Sequence, residues 1–261
     1  MRYCLLICVL FTTTVQARLI GEDVDYSSGT TLMKGYVVYD DTFKGKRPAV
    51  LVVHEWWGHN EYARDRARQL AQLGYVAMAV DMYGNGQQAM HPDDAKKFSG
   101  ALAANVGLAK QRFLAARSLL QQHKMVEAEK IAAIGYCFGG GVVLQMAREG
   151  IDLRAVVSFH GSLATNKPAE PATVKARVMV AHGGKDPFVP AADITNFLNE
   201  MNKAGVDYKF IIYSGASHAF TNPAADDYGR RFNLPLQYNR QADEDSWQDM
   251  QIFLRRVFSD S

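Results

Sequence analysis

From residue 49 onward, short runs of continuous apolar and β-branched residues alternate with segments of helical periodicity, and that alternation leaves few folds open. Ala49–His54 reads Ala-Val-Leu-Val-Val-His, as expected of a strand covered on both faces of a parallel sheet. Further strands are predicted at Tyr75–Val80, Ile131–Tyr136, Ala155–Phe159, Val178–Ala181 and Tyr208–Tyr213. Helices are predicted at Tyr62–Leu73, stopped by Gly74, and at Leu108–Leu120, Gly140–Arg148, Ala191–Lys203 and Asp243–Val257. Strand–helix alternation of this kind builds a doubly wound, mostly parallel α/β sheet with helices on both faces. No internal repeat, low-complexity segment or Pro/Gly/Ser linker divides the chain, so residues 18–261 are expected to form one domain without a large lid domain. The polar, irregular stretches Met82–Phe98 and Asn222–Ala242 are expected to be loops that border a pocket.

The extreme N-terminus follows a different pattern. Arg2 is a short positive region, Leu5–Phe11 an apolar stretch shorter than the roughly 18–20 residues of a membrane span, and Val15-Gln16-Ala17 a small-residue cleavage site. Residues 1–17 therefore read as a secretory signal peptide cut after Ala17, and the mature protein is expected to be exported, periplasmic or secreted, and soluble. A buried N-terminal element is the competing reading. A lipoprotein signal fits poorly because Ile7 precedes Cys8. Cleavage would remove Cys4 and Cys8 and leave Cys137 as a lone thiol, either a small buried hydrophobe or a reactive group. The formal net charge of +2 is spread without a run of five like charges, so no nucleic-acid partner is expected.

In an open α/β sheet, ligands bind beyond the carboxyl ends of the strands, so the residues that follow each strand carry the functional signal. The strand ending at Tyr136 runs through Gly135-Tyr136-Cys137-Phe138-Gly139 directly into a helix. Gly-x-Cys-x-Gly is the nucleophile-elbow pattern with cysteine in the serine position, and the helix N-terminus favours a developing oxyanion. The spacings of a dinucleotide or phosphate loop are missing, while a structural glycine turn around a packed cysteine remains the plainer alternative. Asp186 follows the next-but-one strand, beside Pro187, and His218 follows the last. Nucleophile, acid, base in the order Cys137, Asp186, His218 is the chain order of α/β hydrolases and not that of chymotrypsin-like or subtilisin-like enzymes.

With those residues in hand, the chain resembles the dienelactone hydrolase family over essentially its whole length after residue 17. The resemblance rests on His54-Glu55-Trp56-Trp57-Gly58, Asp81-Met82-Tyr83-Gly84, Gly135–Gly140, Gly184–Pro190 and Gly215–Phe220. It implies an α/β-hydrolase fold, a catalytic triad of Cys137, Asp186 and His218, and a second carboxylate, Glu55, that contacts the resting cysteine and assists its activation. It also implies an oxyanion hole made of the Trp56 and Phe138 backbone amides. The expected activity is cleavage of a lactone, small carboxylic ester or thioester through an acyl-thioester intermediate.

One departure touches the substrate. Family members acting on a carboxylated lactone resemble one another in carrying arginines after the Asp-x-Tyr motif and shortly after the histidine; the matching positions here read Gly84-Asn85-Gly86 and Phe220-Thr221-Asn222. Arg230, Arg231 and Arg240 are candidate replacements, with solvated loop charges as the plainer reading. Trp57, Tyr83, His160 and Phe220 are expected to contact substrate, within an aromatic pocket shared with Trp56 and Phe138. His54, His59, His91 and His182 lack metal-ligand spacing, so no metal or cofactor is expected, and the protein is expected to be a monomer. Two other functions stay open: a thiol-based redox sensor, which would lack a resolving cysteine, and a hydrolase-fold binding protein without turnover.

Overall fold

The computed structural model describes residues 18–260, and the export reading of residues 1–17, with Cys4 and Cys8, lies outside the described residues. Eight strands form one sheet. In chain order the elements are β1 (Leu19–Ser28), β2 (Thr31–Asp40), β3 (Arg47–Val53), α1 (Glu61–Gln72), β4 (Val76–Val80), α2 (Pro92–Ala103), α3 (Val106–Gln121) and β5 (Val126–Tyr136). There follow α4 (Phe138–Arg148), β6 (Ala155–Phe159), β7 (Arg177–Gly183), α5 (Ala191–Ala204), β8 (Tyr208–Tyr213), α6 (Ala225–Phe232) and α7 (Arg240–Ser259). The strand order is β1-β2-β4-β3-β5-β6-β7-β8, parallel from β4 through β8, with β1 and β2 antiparallel at one edge.

The six strands expected from apolar runs are all present, and every residue of β4 and β6 is buried, as continuous apolar sequence requires. Neither strand of the β1–β2 hairpin is among those expected: β1 is largely exposed and reads Leu-Ile-Gly-Glu-Asp-Val-Asp-Tyr-Ser-Ser, and the buried apolar run of β2, Tyr36-Val37-Val38, is only three residues long. A two-residue loop, Gly29-Thr30, closes the hairpin, with Gly29 at φ +60°. Both stretches expected to be loops also carry a helix. In the first, Pro92 at the start of α2 and Asp93 and Asp94 in its first turn form a helix-start signal. In the second, α6 places Asp226 and Asp227 at its N-terminal end and Arg230 and Arg231 at its C-terminal end, complementing the helix dipole.

The sheet divides the core. One face packs α3, α4 and α5 through Phe113, Leu120, Val143, Met146 and Phe197; the other packs α1 and α7 through Leu70, Met250 and Leu254. Buried between α1 and α7 lies Arg66, which donates to Asp243 on α7 and to the carbonyl oxygen of Thr221 at 2.6 Å. Its guanidinium also sits 5.2 to 5.5 Å from the rings of Trp247, Tyr62 and Tyr136. One charge thereby ties two helices to the segment that follows His218. Removing one partner of a buried pair strands the other. Arg66→Ala is expected to lower unfolding stability by about 3–5 kcal/mol in urea titrations; a loss below about 1 kcal/mol would mean the pair behaves as an exposed one.

Candidate active site

The turn from β5 into α4 is where local sequence dictates the geometry most tightly. Cys137 sits at φ +52° and ψ −116°, in the half of backbone space that L-residues avoid. The flanking glycines make this possible by close approach. A Cβ on Gly135 would lie 2.1 Å from the Gly139 carbonyl oxygen, and one on Gly139 would lie 2.3 Å from that of Val53. The Cys137 N–H is shared between the Phe159 carbonyl at 3.0 Å and Nδ1 of His160 at 3.1 Å. Phe138 is the first residue of α4, so its N–H belongs to the set that a helix leaves without an intrahelical partner.

The loops after β7 and β8 bring Asp186 and His218 to this thiol. His218 Nε2 lies 3.1 Å from Cys137 Sγ, and His218 Nδ1 donates to Asp186 Oδ2 at 2.8 Å. The other carboxylate oxygen, Oδ1, accepts the Phe188 N–H at 2.9 Å, which fixes the direction of the acid. Burial alone would push the His218 imidazolium down, but the negative charge Cys137 presents and the bond to Asp186 outweigh it and carry its pKa up to about 10. This histidine is therefore held ready to carry a proton beside the sulfur.

Glu55 is buried at the end of β3, and burial raises its pKa to about 7 against the opposing pull of Asn222, His218 and Arg66. Its Oε2 accepts from Asn222 Nδ2 at 2.6 Å. Among the described residues no hydrogen bond joins Glu55 to Cys137, contrary to the expected resting contact, because the thiol is turned to His218 instead. Glu55 nonetheless lines the same cavity as the thiol, a space of about 330 Å³ bounded also by Trp56, Trp57, Phe138, Phe188 and His218. Residues 96 and 99 of α2 and 228 of α6 line it too, so both polar stretches border the pocket.

Three of the four residues expected to contact substrate sit elsewhere. Trp57 does line the cavity, stacked on Tyr228 at 4.4 Å. Tyr83 is buried and donates its hydroxyl to the Trp56 carbonyl at 2.9 Å, so it holds the Trp56–Trp57 peptide, next to the one that bears the Trp56 N–H. Phe220 is fully buried, edge-on to His160, and belongs to the core behind the site. His160 is buried as well, and since its Nδ1 accepts from Cys137, its Nε2 carries the proton and donates to Thr221 Oγ1 at 2.7 Å. Burial, then the neighbouring charges of His218 and Arg66, hold its pKa well below the ordinary value, so the ring stays neutral. The reason is the same for all three: a residue in the segment after a strand can turn into the layer beneath the site as readily as into the pocket, and sequence spacing does not distinguish the two.

The arginines offered as anion anchors are also displaced. Arg230 pairs with Asp227, Arg231 lies over the Phe232 ring, and Arg240 faces Glu244; none lines the cavity. The cation that does is Lys96 on α2, which no sequence motif singles out. His54 is structural: its Nε2 accepts the Met82 N–H at 3.2 Å while Nδ1 faces the Glu55 carbonyl, and burial keeps its pKa low. Asp81, in the shared Asp-Met-Tyr-Gly motif, accepts four backbone amides, from Lys34, Tyr83, Gly84 and Gly86.

Comparison with known proteins gives a consistent answer. The sequence model of the dienelactone hydrolase family matches residues 33–258. A Bradyrhizobium protein named as a probable 2-oxo-3-(5-oxofuran-2-ylidene)propanoate lactonase is 31% identical over 226 residues, covering 81% of this chain and 84% of its own. "Protein usf" of Aquifex pyrophilus is 30% identical over 213 residues, 80% of this chain and 90% of its own. Among solved structures, a dienelactone hydrolase-like promiscuous phosphotriesterase from metagenomic libraries superposes with a TM-score of 0.86 at 32% identity, covering 93% of this chain and 99% of that one.

Burial of Glu55 has a measurable consequence. A carboxyl whose folded pKa is raised, here from 4.5 to about 7, holds its proton more tightly folded than unfolded. Its contribution is therefore most favourable below about pH 4.5 and is lost as pH climbs through 7. Glu55→Gln keeps an acceptor for Asn222 without the charge, and is expected to raise unfolding stability by about 1–3 kcal/mol at pH 8 and hardly at all at pH 4. Equal effects at both pH values would contradict the assigned shift.

Proposed function

The chain belongs to the dienelactone hydrolase family, and from that premise we propose that it cleaves a lactone or small carboxylic ester through Cys137, His218 and Asp186, with a covalent acyl-thioester intermediate. The observation that carries this reading is the position of His218, within hydrogen-bond reach of the Cys137 sulfur on one side and of a buried carboxylate on the other, at an apolar cavity. In this mechanism the sulfur of Cys137, its proton passed to His218, attacks the carbonyl carbon. The tetrahedral oxyanion is met by the amides of Phe138 and Trp56, and each such donor is worth about 10²–10³ in rate. Collapse expels the alkoxide, which takes the proton from His218; in a lactone it stays tethered to the acyl group. His218, oriented by Asp186, then draws a proton from water, and the hydroxide cleaves the thioester to carboxylate and free thiol.

Glu55 has a role in the same scheme. Glu55 lines the cavity that the sulfur faces, and a carboxyl poised near pH 7 can already hold its proton when negative charge builds on sulfur, so it acts by tuning the nucleophile and not by attacking substrate. The lactonase name of the Bradyrhizobium relative supports the bond type. Hydrolysis of a panel of lactones, aryl esters and thioesters tests the proposal directly. Wild-type protein is expected to turn over at least one of them and to lose activity on iodoacetamide treatment. Cys137→Ala and His218→Ala are each expected to fall at least about 10³-fold while still folded by circular dichroism. Unchanged turnover in Cys137→Ala eliminates the reading.

Residues 1–17 are proposed to direct export, on the strength of the Leu5–Phe11 run and the Val15-Gln16-Ala17 site. N-terminal sequencing of protein recovered from outside the cytoplasm is expected to begin at Arg18; an intact Met1 there would sink the idea.

A further inference from the structure

A second cavity, of about 530 Å³, adjoins the first. Ala103, Phe138 and Ser162 line both, and Ala103 and Ser162 are exposed, so the two spaces meet along a solvent-accessible edge beside the nucleophile. The second space lies where α2 ends and α3 begins, facing the N-terminal half of α4 and the segment after β6. Its walls are apolar: Leu102, Val106, Ala109, Val142 and Met146. No charged residue lines it. Of its four polar lining side chains, Thr165 and Gln145 are paired, since Thr165 Oγ1 donates to Gln145 Oε1 at 2.8 Å and Gln145 Nε2 donates to the Lys167 carbonyl, while Ser162 and Asn166 sit at the exposed rim.

We infer that this cavity is an acyl-chain subsite, and that the preferred substrates are esters or lactones carrying an extended, uncharged apolar acyl substituent. The inference rests on the hydrolase reading of Cys137 and deepens it. The direction follows from the chemistry. The leaving oxygen must face His218 to be protonated, and His218 lines only the first cavity. The alcohol portion therefore extends past His218 toward Phe188 and Leu236, which line the first cavity and not the second. The acyl substituent, on the other side of the carbonyl, has the path across Phe138 and Ala103 into the second. A mostly apolar wall without a charged residue rewards apolar surface and penalises a bare charge.

The test is a pair of homologous series. With 4-nitrophenyl esters from acetyl to octanoyl, wild-type kcat/KM is expected to rise by about three- to fourfold per methylene over the middle of the series, the gain for moving a methylene out of water. Ala164 is exposed and lines only the second cavity. Ala164→Trp is expected to lower octanoyl kcat/KM by about tenfold or more while leaving acetyl within about twofold. Acetates of alcohols of increasing length report on the first cavity alone, so Ala164→Trp is expected to leave their kcat/KM within about twofold at every length. A flat acyl series, a gain that follows the alcohol instead, or equal loss on acetyl and octanoyl esters in Ala164→Trp would each overturn the assignment.

Failure of the hydrolase reading is separable. If no ester of any length turns over, that reading falls, and the subsite is judged by calorimetric binding of octanamide and acetamide to the Cys137→Ala protein. Tighter binding of octanamide, weakened by adding Ala164→Trp, supports the cavity; equal, weak binding of the two amides removes it.

Discussion

The structure turns on one close contact between backbones. Gly139, in the first turn of α4, lies so near the carbonyls of Val53 and His54 that no side chain fits between them. That approach presses the start of α4 against the end of β3 and holds Cys137 in a left-handed conformation that a non-glycine residue adopts only under constraint. The Cys137 N–H is then taken by the end of β6, through the Phe159 carbonyl and the His160 ring. Three neighbouring strand ends are locked around a single peptide. Because β3 leads straight into Glu55 and Trp56, the same contact sets where the carboxylate and the second amide of the site stand relative to the sulfur.

Beneath the site lies a buried polar layer in which burial acts on every group but with different outcomes. His160 gains no opposite charge close by, so desolvation prevails and it stays neutral, a fixed link between the Cys137 amide and Thr221. His218, equally enclosed, faces Cys137 and Asp186, and their charge reverses the effect of burial. Glu55 accepts one hydrogen bond from Asn222 and is left with a pKa near neutrality. Thr221 joins these groups to the scaffold, since its hydroxyl meets both His160 and Tyr62 while its carbonyl accepts from Arg66. The charge of Arg66, anchored on Asp243, is thus part of the frame that orients the loop bearing His218. Stability and site geometry share the same residues here.

Much of this was readable from residues 49–257 alone. Continuous apolar runs located the interior strands because a strand covered on both faces admits little else, the run Phe210-Ile211-Ile212 located the half-exposed edge strand β8, and Gly135-x-Cys137-x-Gly139 announced a sharp turn because close backbone approach excludes any Cβ. The order of Cys137, Asp186 and His218 after three different strands carried the meeting of those three, since a parallel sheet delivers all its strand ends to one edge. The β1–β2 hairpin escaped the same reasoning: β1 is an edge strand with half of its residues exposed and no apolar run, and the run in β2, Tyr36-Val37-Val38, is only three residues long. The helices α2 and α6 were hidden inside polar stretches, although Pro92 with Asp93 and Asp94 is a helix-start signal that composition obscured.

Which way each side chain turns was decided in three dimensions. Tyr83, His160 and Phe220 follow strand ends as the sequence indicates, yet packing sends them under the site, where they hold backbone and histidine in place. Lys96 reaches the cavity only because α2 folds over it, and the second apolar chamber exists only because α2, α3, α4 and the segment after β6 converge. Sequence determines chemistry and order along the chain, because residue type and strand periodicity are local. Distances between side chains of different elements, and the burial that shifts their protonation, are properties of the packed whole.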